Sequence, residues 1–314
     1  MPKESAMTNN PETVQDATIV IAGASSGFGR GAARALAAKG ARVVVAARRT
    51  DLLDELVEEI QREGGSALAV TTDVSLREEV ERLAQKALDA YGRIDVWINN
   101  VGVGALGYLW EIPLETHARV VDVNLKGLIY GAHIALNHFI KQGGGTLVNV
   151  GSIDSEVPLA LQNTYAATKA AVLSLSRSLN EELRLSGHED IIKVATIMPW
   201  AVDTPWWTHA ANYTGHAPRM AAMDDPQLVV DAIVEACTDP KEEMPIGPKA
   251  RTSDISHHLF PDLTERMSAT VAKRESEKGD AVPDTDGALF TPMEAGRKVE
   301  GGIRERMRRE DASA

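Results

Sequence analysis

In the segment NTYAATKAAV, residues 163–172, Tyr165 stands four places before Lys169. On a helix that spacing puts both side chains on one face, a turn apart. A phenol, with an ordinary pKa of about 10, is a poor acid–base group at neutral pH, and an ammonium is costly beside an apolar face. A cation held next to a phenol favours its ionised form, so the pair has the makings of an acid–base site. Upstream, Ser152 closes the β-branched run GTLVNVG, as a substrate-binding hydroxyl or as an ordinary strand-end turn residue.

A second stretch, AGASSGFGRGAARALAAKG, suits a phosphate ligand. Gly23 permits a tight turn out of a strand, Gly27 lets backbone amides approach a pyrophosphate, and Gly29 lets the following helix press on the strand. The positive helix end then faces the phosphates. This is a dinucleotide reading, although the spacing is G-x-x-x-G-x-G. Next comes VVVAARRT, where Ala47 takes the place of an acid that would bind a ribose diol, followed by Arg48 and Arg49. Arginines there suit a 2′-phosphate, so NADP is expected over NAD; the alternative is two exposed arginines opening a helix. Asp73 and Val74 are expected to border the adenine.

The elements that must position these groups alternate. The runs ATIVIAG, ARVVVAA, SALAVTT, RIDVWIN, GTLVNVG and IKVATIM read as strands buried on both faces. Stretches such as TDLLDELVEEIQREGG lie between them with helical spacing, opening near a capping Thr or Ser and closing near Gly. The pattern predicts an α/β fold over residues 17–247: a doubly wound, Rossmann-like parallel sheet of about seven strands with helices on both faces. Ligands of such sheets bind at the carboxyl ends of the strands, where these motifs fall. Residues 1–16 read as a flexible extension without the apolar stretch of a secretory signal. Residues 248–314 read as a C-terminal extension packed on or near the domain. It comprises one or two helices broken at Pro261, a Pro/Gly/Asp-rich surface loop and an arginine-rich end interleaved with glutamate, expected to be solvated.

No apolar run approaches the roughly 20 residues of a membrane helix, and the formal net charge of −12 argues against nucleic acid as a partner. Cys237 is the single cysteine, which rules out an internal disulfide or a cysteine-based metal site within the chain; a buried structural thiol and a cytoplasmic location are expected. His209 and His216 are not spaced as a helical metal pair, so no metal is expected.

Taken together, GASSGFG, NNVG, SIDS and YAATK, in this order and spacing, resemble the motifs of the short-chain dehydrogenase/reductase family. The resemblance implies hydride transfer between a nicotinamide and a ketone, aldehyde or secondary alcohol. Tyr165 would be the general acid/base, Lys169 its cationic neighbour and a ligand of the nicotinamide ribose, Ser152 the holder of the substrate oxygen, and Asn124 the anchor of a relay water. Working near pH 7 asks the phenol for a shift of about three units, roughly 4 kcal/mol. A cation about 4 Å away at an effective dielectric of about 20 supplies a Coulomb energy of that order. Family resemblance also carries cofactor contacts onto Ser25, Ser26, Phe28, Asn100, Pro199, Val202 and Thr204, and implies a homodimer or homotetramer packed through the helices bearing His133, His138 and Tyr165.

Three positions depart from the family pattern: Ala22 for threonine, Val101 for alanine, and Trp200 after Pro199 where glycine is usual. They bear on how the cofactor sits, not on the reaction type. Residues from about 200 to 225 fall where the family has a substrate lid, and Trp200, Trp206, Trp207 and Tyr213 there either wall an apolar substrate or bury the lid itself. A non-catalytic NADP-binding sensor or scaffold is the rival reading, disfavoured because Ser152, Tyr165 and Lys169 are all present. A serine hydrolase would need a G-x-S-x-G elbow, which NVGSIDS does not supply.

Overall fold

The computed structural model describes residues 13–313. Strand β1 (Thr18–Ala22) passes through α1 (Gly27–Ala38) to β2 (Arg42–Ala47); α2 (Thr50–Arg62) leads to β3 (Ser66–Thr71) and α3 (Arg77–Tyr91) to β4 (Val96–Asn99). A short strand β5 (Ala105–Leu106) precedes α4 (Leu114–Val121), a π-helical turn (Asp122–Lys126) and α5 (Gly127–Gln142). Then follow β6 (Gly145–Val150), a 3-10 turn (Ile153–Ser155), α6 (Asn163–Ser186) and β7 (Ile192–Pro199). After α7 (Trp206–His209), β8 (Ala211–Asn212) and α8 (Pro226–Ala236) comes the last strand, β9 (Glu243–Ile246). The chain ends in α9 (Gly247–Leu259), α10 (Pro261–Ser276) and α11 (Ile303–Ser313).

Seven strands form one parallel sheet in the order β3-β2-β1-β4-β6-β7-β9. Along β1 the side chains alternate: Ile19 and Ile21 pack with α1, α2 and α8, while Val20 and Ala22 join the core under α3, α5 and α6. Both faces are covered, which is why the strands are continuous apolar runs rather than alternating ones. The seventh strand is different. Glu243 is exposed and Pro245 has no N–H to donate, and β9 sits at the sheet edge beside β7, where both are tolerated. The chain reverses its progress across the sheet between β1 and β4, and this opens a crevice at their carboxyl ends.

Two sequence expectations need correction. Of the N-terminal extension, residues 1–12 lie outside the described residues, but Val14 is buried in the core against β1 and α1, and the Asp16 amide donates to Gly40 O at 3.0 Å. The packed chain therefore starts before Ala17. The arginine-rich end is not simply solvated. Asp203 accepts the Ile303 and Arg304 amides at 2.8 and 3.1 Å, capping α11, and Arg219, buried beneath it, pairs with Glu310 and Asp311 at 2.6 Å. Pro261 does break the helical hairpin, as the first residue of α10.

Candidate active site

The crevice is built from the turn after β1. Gly23 has φ +92°, a region that disfavours side chains, and a Cβ on it would lie 3.0 Å from both the side chain and the amide nitrogen of Val101. Gly29 is tighter: a Cβ there would sit 2.1 Å from Gly23 O, so α1 can abut β1 only with glycine at that place. At the start of α1 the Gly27 amide donates to Lys298 O at 3.0 Å, whereas the Phe28 and Gly29 amides have no backbone acceptor among the described residues. Asn100, at the end of β4, donates to Gly23 O at 2.7 Å, and its buried Oδ1 has no partner among the described residues. A groove lined with free amides and an unpartnered buried amide oxygen fits a phosphate-linked, hydroxyl-bearing ligand such as a nicotinamide dinucleotide.

The Pro/Gly/Asp-rich surface loop expected from the sequence runs across this groove as a strap, residues 285–302 between α10 and α11. Arg48 donates through Nη1 to Leu289 O and Phe290 O, both at 3.1 Å, and through Nη2 to Ala288 O at 2.5 Å. Arg49 spends Nη1 on the carbonyls of Met293, Ala295 and Gly296, and Nε and Nη2 on the hydroxyls of Ser25 and Ser26. A guanidinium has five N–H groups. All those of Arg49 are committed, while Arg48 keeps Nε–H and one Nη2–H. Of the two arginines expected to meet a 2′-phosphate, Arg48 therefore retains donors for it, and Arg49 works as a latch between loop and strap. Ser25 and Ser26 accept from that latch and keep their own hydroxyl hydrogens.

Arg119, on α4, completes the clasp with Leu289 O at 3.3 Å and Asp73 at 2.6 Å. Burial would raise the Asp73 carboxyl, but hydrogen bonds from Arg119 and Ser75 outweigh it and hold the pKa below the ordinary value. Val74 is buried beside Gly127, where a Cβ would come within 2.8 Å of it, so α5 too approaches through a glycine.

At the other end of the groove α6 presents Tyr165 and Lys169 together. Lys169 is 3% exposed; its Nζ donates to Val150 O at 2.7 Å, at the carboxyl end of β6, and lies 5.7 Å from the Tyr165 ring centroid. Ser152, just beyond β6, hydrogen-bonds the Tyr165 phenol and accepts the Asp154 amide at 3.1 Å. Asn124 projects from the π-helical turn. It accepts from Val103 N and donates to Val103 O, both at 2.8 Å, and donates to Thr168 Oγ1 at 3.1 Å. With both amide hydrogens taken by protein, its side chain is a post fixing the loop after β4 against α6.

The electrostatics differ from the sequence expectation. Burial, then the Asp154 carboxylate, push the Tyr165 phenol above its ordinary value, with only the Ser152 hydrogen bond acting downward. Burial lowers Lys169 to about 8, against the pull of Asp154. The protein alone therefore does not draw the phenol toward neutrality, because burial and the Asp154 carboxylate outweigh the Ser152 hydrogen bond. Asp154 and Arg119 were not singled out from sequence. An acid two places after Ser152 was visible in SIDS, but its burial was not.

Trp206 stacks at a tilt on Tyr165 with centroids 5.0 Å apart, Trp207 meets Trp206 edge-on, and Trp200 lines the same cavity. Tyr213 does not belong to this wall; its hydroxyl donates to Asp286 at 2.6 Å, holding the start of the strap. Pro199, Val202, Thr204 and Phe28 line the groove with Val101. His209 and His216 each bond a tail carbonyl, Ala295 O and Gly279 O, at 2.9 Å.

A doubly wound sheet with a glycine-lined crevice and a Ser–Tyr–Lys cluster at its mouth defines a nucleotide-dependent oxidoreductase. Residues 17–213 match the short chain dehydrogenase family, and the chain belongs to the short-chain dehydrogenases/reductases. It is 37% identical over 257 residues to an uncharacterised oxidoreductase of Bacillus subtilis, YxnA, covering 81% of this chain and 72% of that protein. Among solved structures it resembles a short-chain dehydrogenase/reductase of Burkholderia phymatum in complex with NAD. The TM-score is 0.71 at 26% identity, over 80% of this chain and 96% of the other. It also resembles an alcohol dehydrogenase of Thermococcus sibiricus complexed with 5-hydroxy-NADP, with TM-score 0.64 at 28% identity, over 73% and 95% of the two chains.

Proposed function

We propose that this oxidoreductase is an NADP-dependent carbonyl reductase, with Tyr165 donating the proton that completes each turnover. The observation that carries the reading is the convergence of Ser152, Tyr165 and Lys169 at the carboxyl end of β6, beside the groove. A nicotinamide cofactor supplies the hydride. Its holders would be the loop from Gly23 to Gly29, Arg48, Asn100, Lys169, Val202 and Thr204, with Asp73 and Val74 bordering the adenine side.

Ser152 and Tyr165 direct their hydroxyls at the substrate carbonyl oxygen and stabilise the charge that grows there. When that oxygen becomes an alkoxide it takes the phenol proton, and an alkoxide is a far stronger base than a phenolate. A phenol held above its ordinary pKa stays protonated until then, which suits reduction better than alcohol oxidation. Lys169 faces the phenol from α6 and stabilises the phenolate left behind. The free Nε–H and Nη2–H of Arg48 support a 2′-phosphate ligand and hence NADP. The lone buried Cys237 suits a cytoplasmic protein, and the exposed Ile129 and Ile140 on α5 suit pairing of subunits into a homodimer or homotetramer.

A panel of ketones, aldehydes and secondary alcohols, followed by nicotinamide absorbance with NADPH and NADH in turn, tests the reading. Ketone or aldehyde reduction with NADPH preferred is expected; absence of turnover with either cofactor overturns it.

A further inference from the structure

The cavity in front of Tyr165 holds a carboxyl that this reaction does not use. Asp154, in the 3-10 turn after β6, is 8% exposed and lines the cavity, yet its carboxyl oxygens have no hydrogen bond and no ion pair among the described residues. Its amide is tied to Ser152 Oγ at 3.1 Å, so the carboxyl is anchored two residues from the hydroxyl that meets the substrate oxygen. Burial raises its pKa to about 7, against the pull of Lys169, and once ionised it acts on both Tyr165 and Lys169. Buried carboxyls are costly unless a donor meets them, and no protein donor does so here. In the same cavity lining, the buried indole N–H groups of Trp200 and Trp206 lack acceptors among the described residues, so the cavity is polar at set points within an aromatic wall.

A simple ketone entering this space would strip water from the carboxylate and offer nothing in return. A substrate bearing a donor beside its carbonyl would restore the lost hydrogen bond while Ser152 and Tyr165 hold the carbonyl itself. We infer that Asp154 accepts a hydrogen bond from a hydroxyl or ammonium group on the carbon next to the reacting carbonyl, making α-hydroxy and α-amino ketones the preferred substrates. This rests on the carbonyl-reductase reading above.

The test uses the full chain with NADPH and four probes: α-hydroxyacetophenone, α-aminoacetophenone, α-methoxyacetophenone and acetophenone. The first two are expected to exceed the last two by about 10-fold or more in kcat/KM, mostly through KM. Asp154→Ala should erase that margin for both donors, read as the ratio to acetophenone in the same variant at the same pH. Asp154→Asn, nearly isosteric and uncharged, should keep part of the hydroxyl preference and lose the ammonium preference. Quenching of tryptophan emission by α-hydroxyacetophenone gives a Kd independent of turnover, expected to weaken about 10-fold in Asp154→Ala. Equal use of all four ketones by the wild type, or unchanged proportions and Kd in both variants, overturns the assignment of Asp154 alone. Failure of the wild type to reduce any carbonyl overturns the reductase reading together with it.

Discussion

The guanidinium of Arg48 donates to Ala288 O at 2.5 Å, joining residues 240 positions apart at the mouth of the nucleotide groove. Through this contact and those to Leu289 and Phe290, the strap and the Arg48 end of the groove are one mechanical unit. Arg48→Asp would remove the free donors and place a carboxylate where a 2′-phosphate would come. Cofactor preference, as the ratio of kcat/KM for NADPH and NADH, should move toward NADH by at least ~10-fold, the equivalent of about 1.4 kcal/mol. Trypsin should also cut the strap at Arg297 and Lys298 faster than in the wild type. An unchanged ratio would refute the phosphate role.

Tyr165→Phe keeps the ring that packs on Trp206 and loses only the hydroxyl. Turnover should fall by about 10²- to 10⁴-fold, the usual contribution of a positioned acid, while NADPH binding followed by fluorescence stays the same. Retained turnover would mean that another group delivers the proton.

Lys169 is lowered to about 8 by burial, and Asp154 is the charged group that holds it from falling further. The ammonium is therefore present below about pH 8 and lost as the pH rises through that value. Since kcat/KM for the cofactor reports the free enzyme, its profile should decline above about pH 8. In Asp154→Asn the supporting anion is gone, so the alkaline limb should move to lower pH. A limb that stays in place would show that Lys169 does not control it.

Gly29→Ala would force a methyl against Gly23 O, a backbone atom that cannot swing aside. Urea unfolding should show a loss of about 1–3 kcal/mol, the usual cost of overpacking, with weaker NADPH binding as α1 is pushed off β1. Wild-type stability would mean that the helix shifts freely at this point.

The wound sheet was legible because each buried strand is a continuous apolar run and the crossover helices have their own period, several closing at a glycine. The Thr and Ser caps expected at their starts do not form, since α2 and α3 open after Arg49 and Leu76 with no side-chain cap. Only β9 escaped, since an edge strand needs neither apolar faces nor a full set of donors. Tyr165 and Lys169 were legible because one helical turn joins them, and Gly23, Gly27 and Gly29 because a loop between strand and helix does the same. Local periodicity thus determined the fold class and which short motifs meet at the groove. Tertiary structure alone decided how those motifs are wired: that Arg49 latches a strap from the far end of the chain while Arg48 keeps free donors, that Asn124 braces Val103, and that Asp154 stands buried and unpaired beside Ser152. Such facts depend on hydrogen-bond partners far off in sequence and on exclusion of water, and neither leaves a periodic trace in the order of residues.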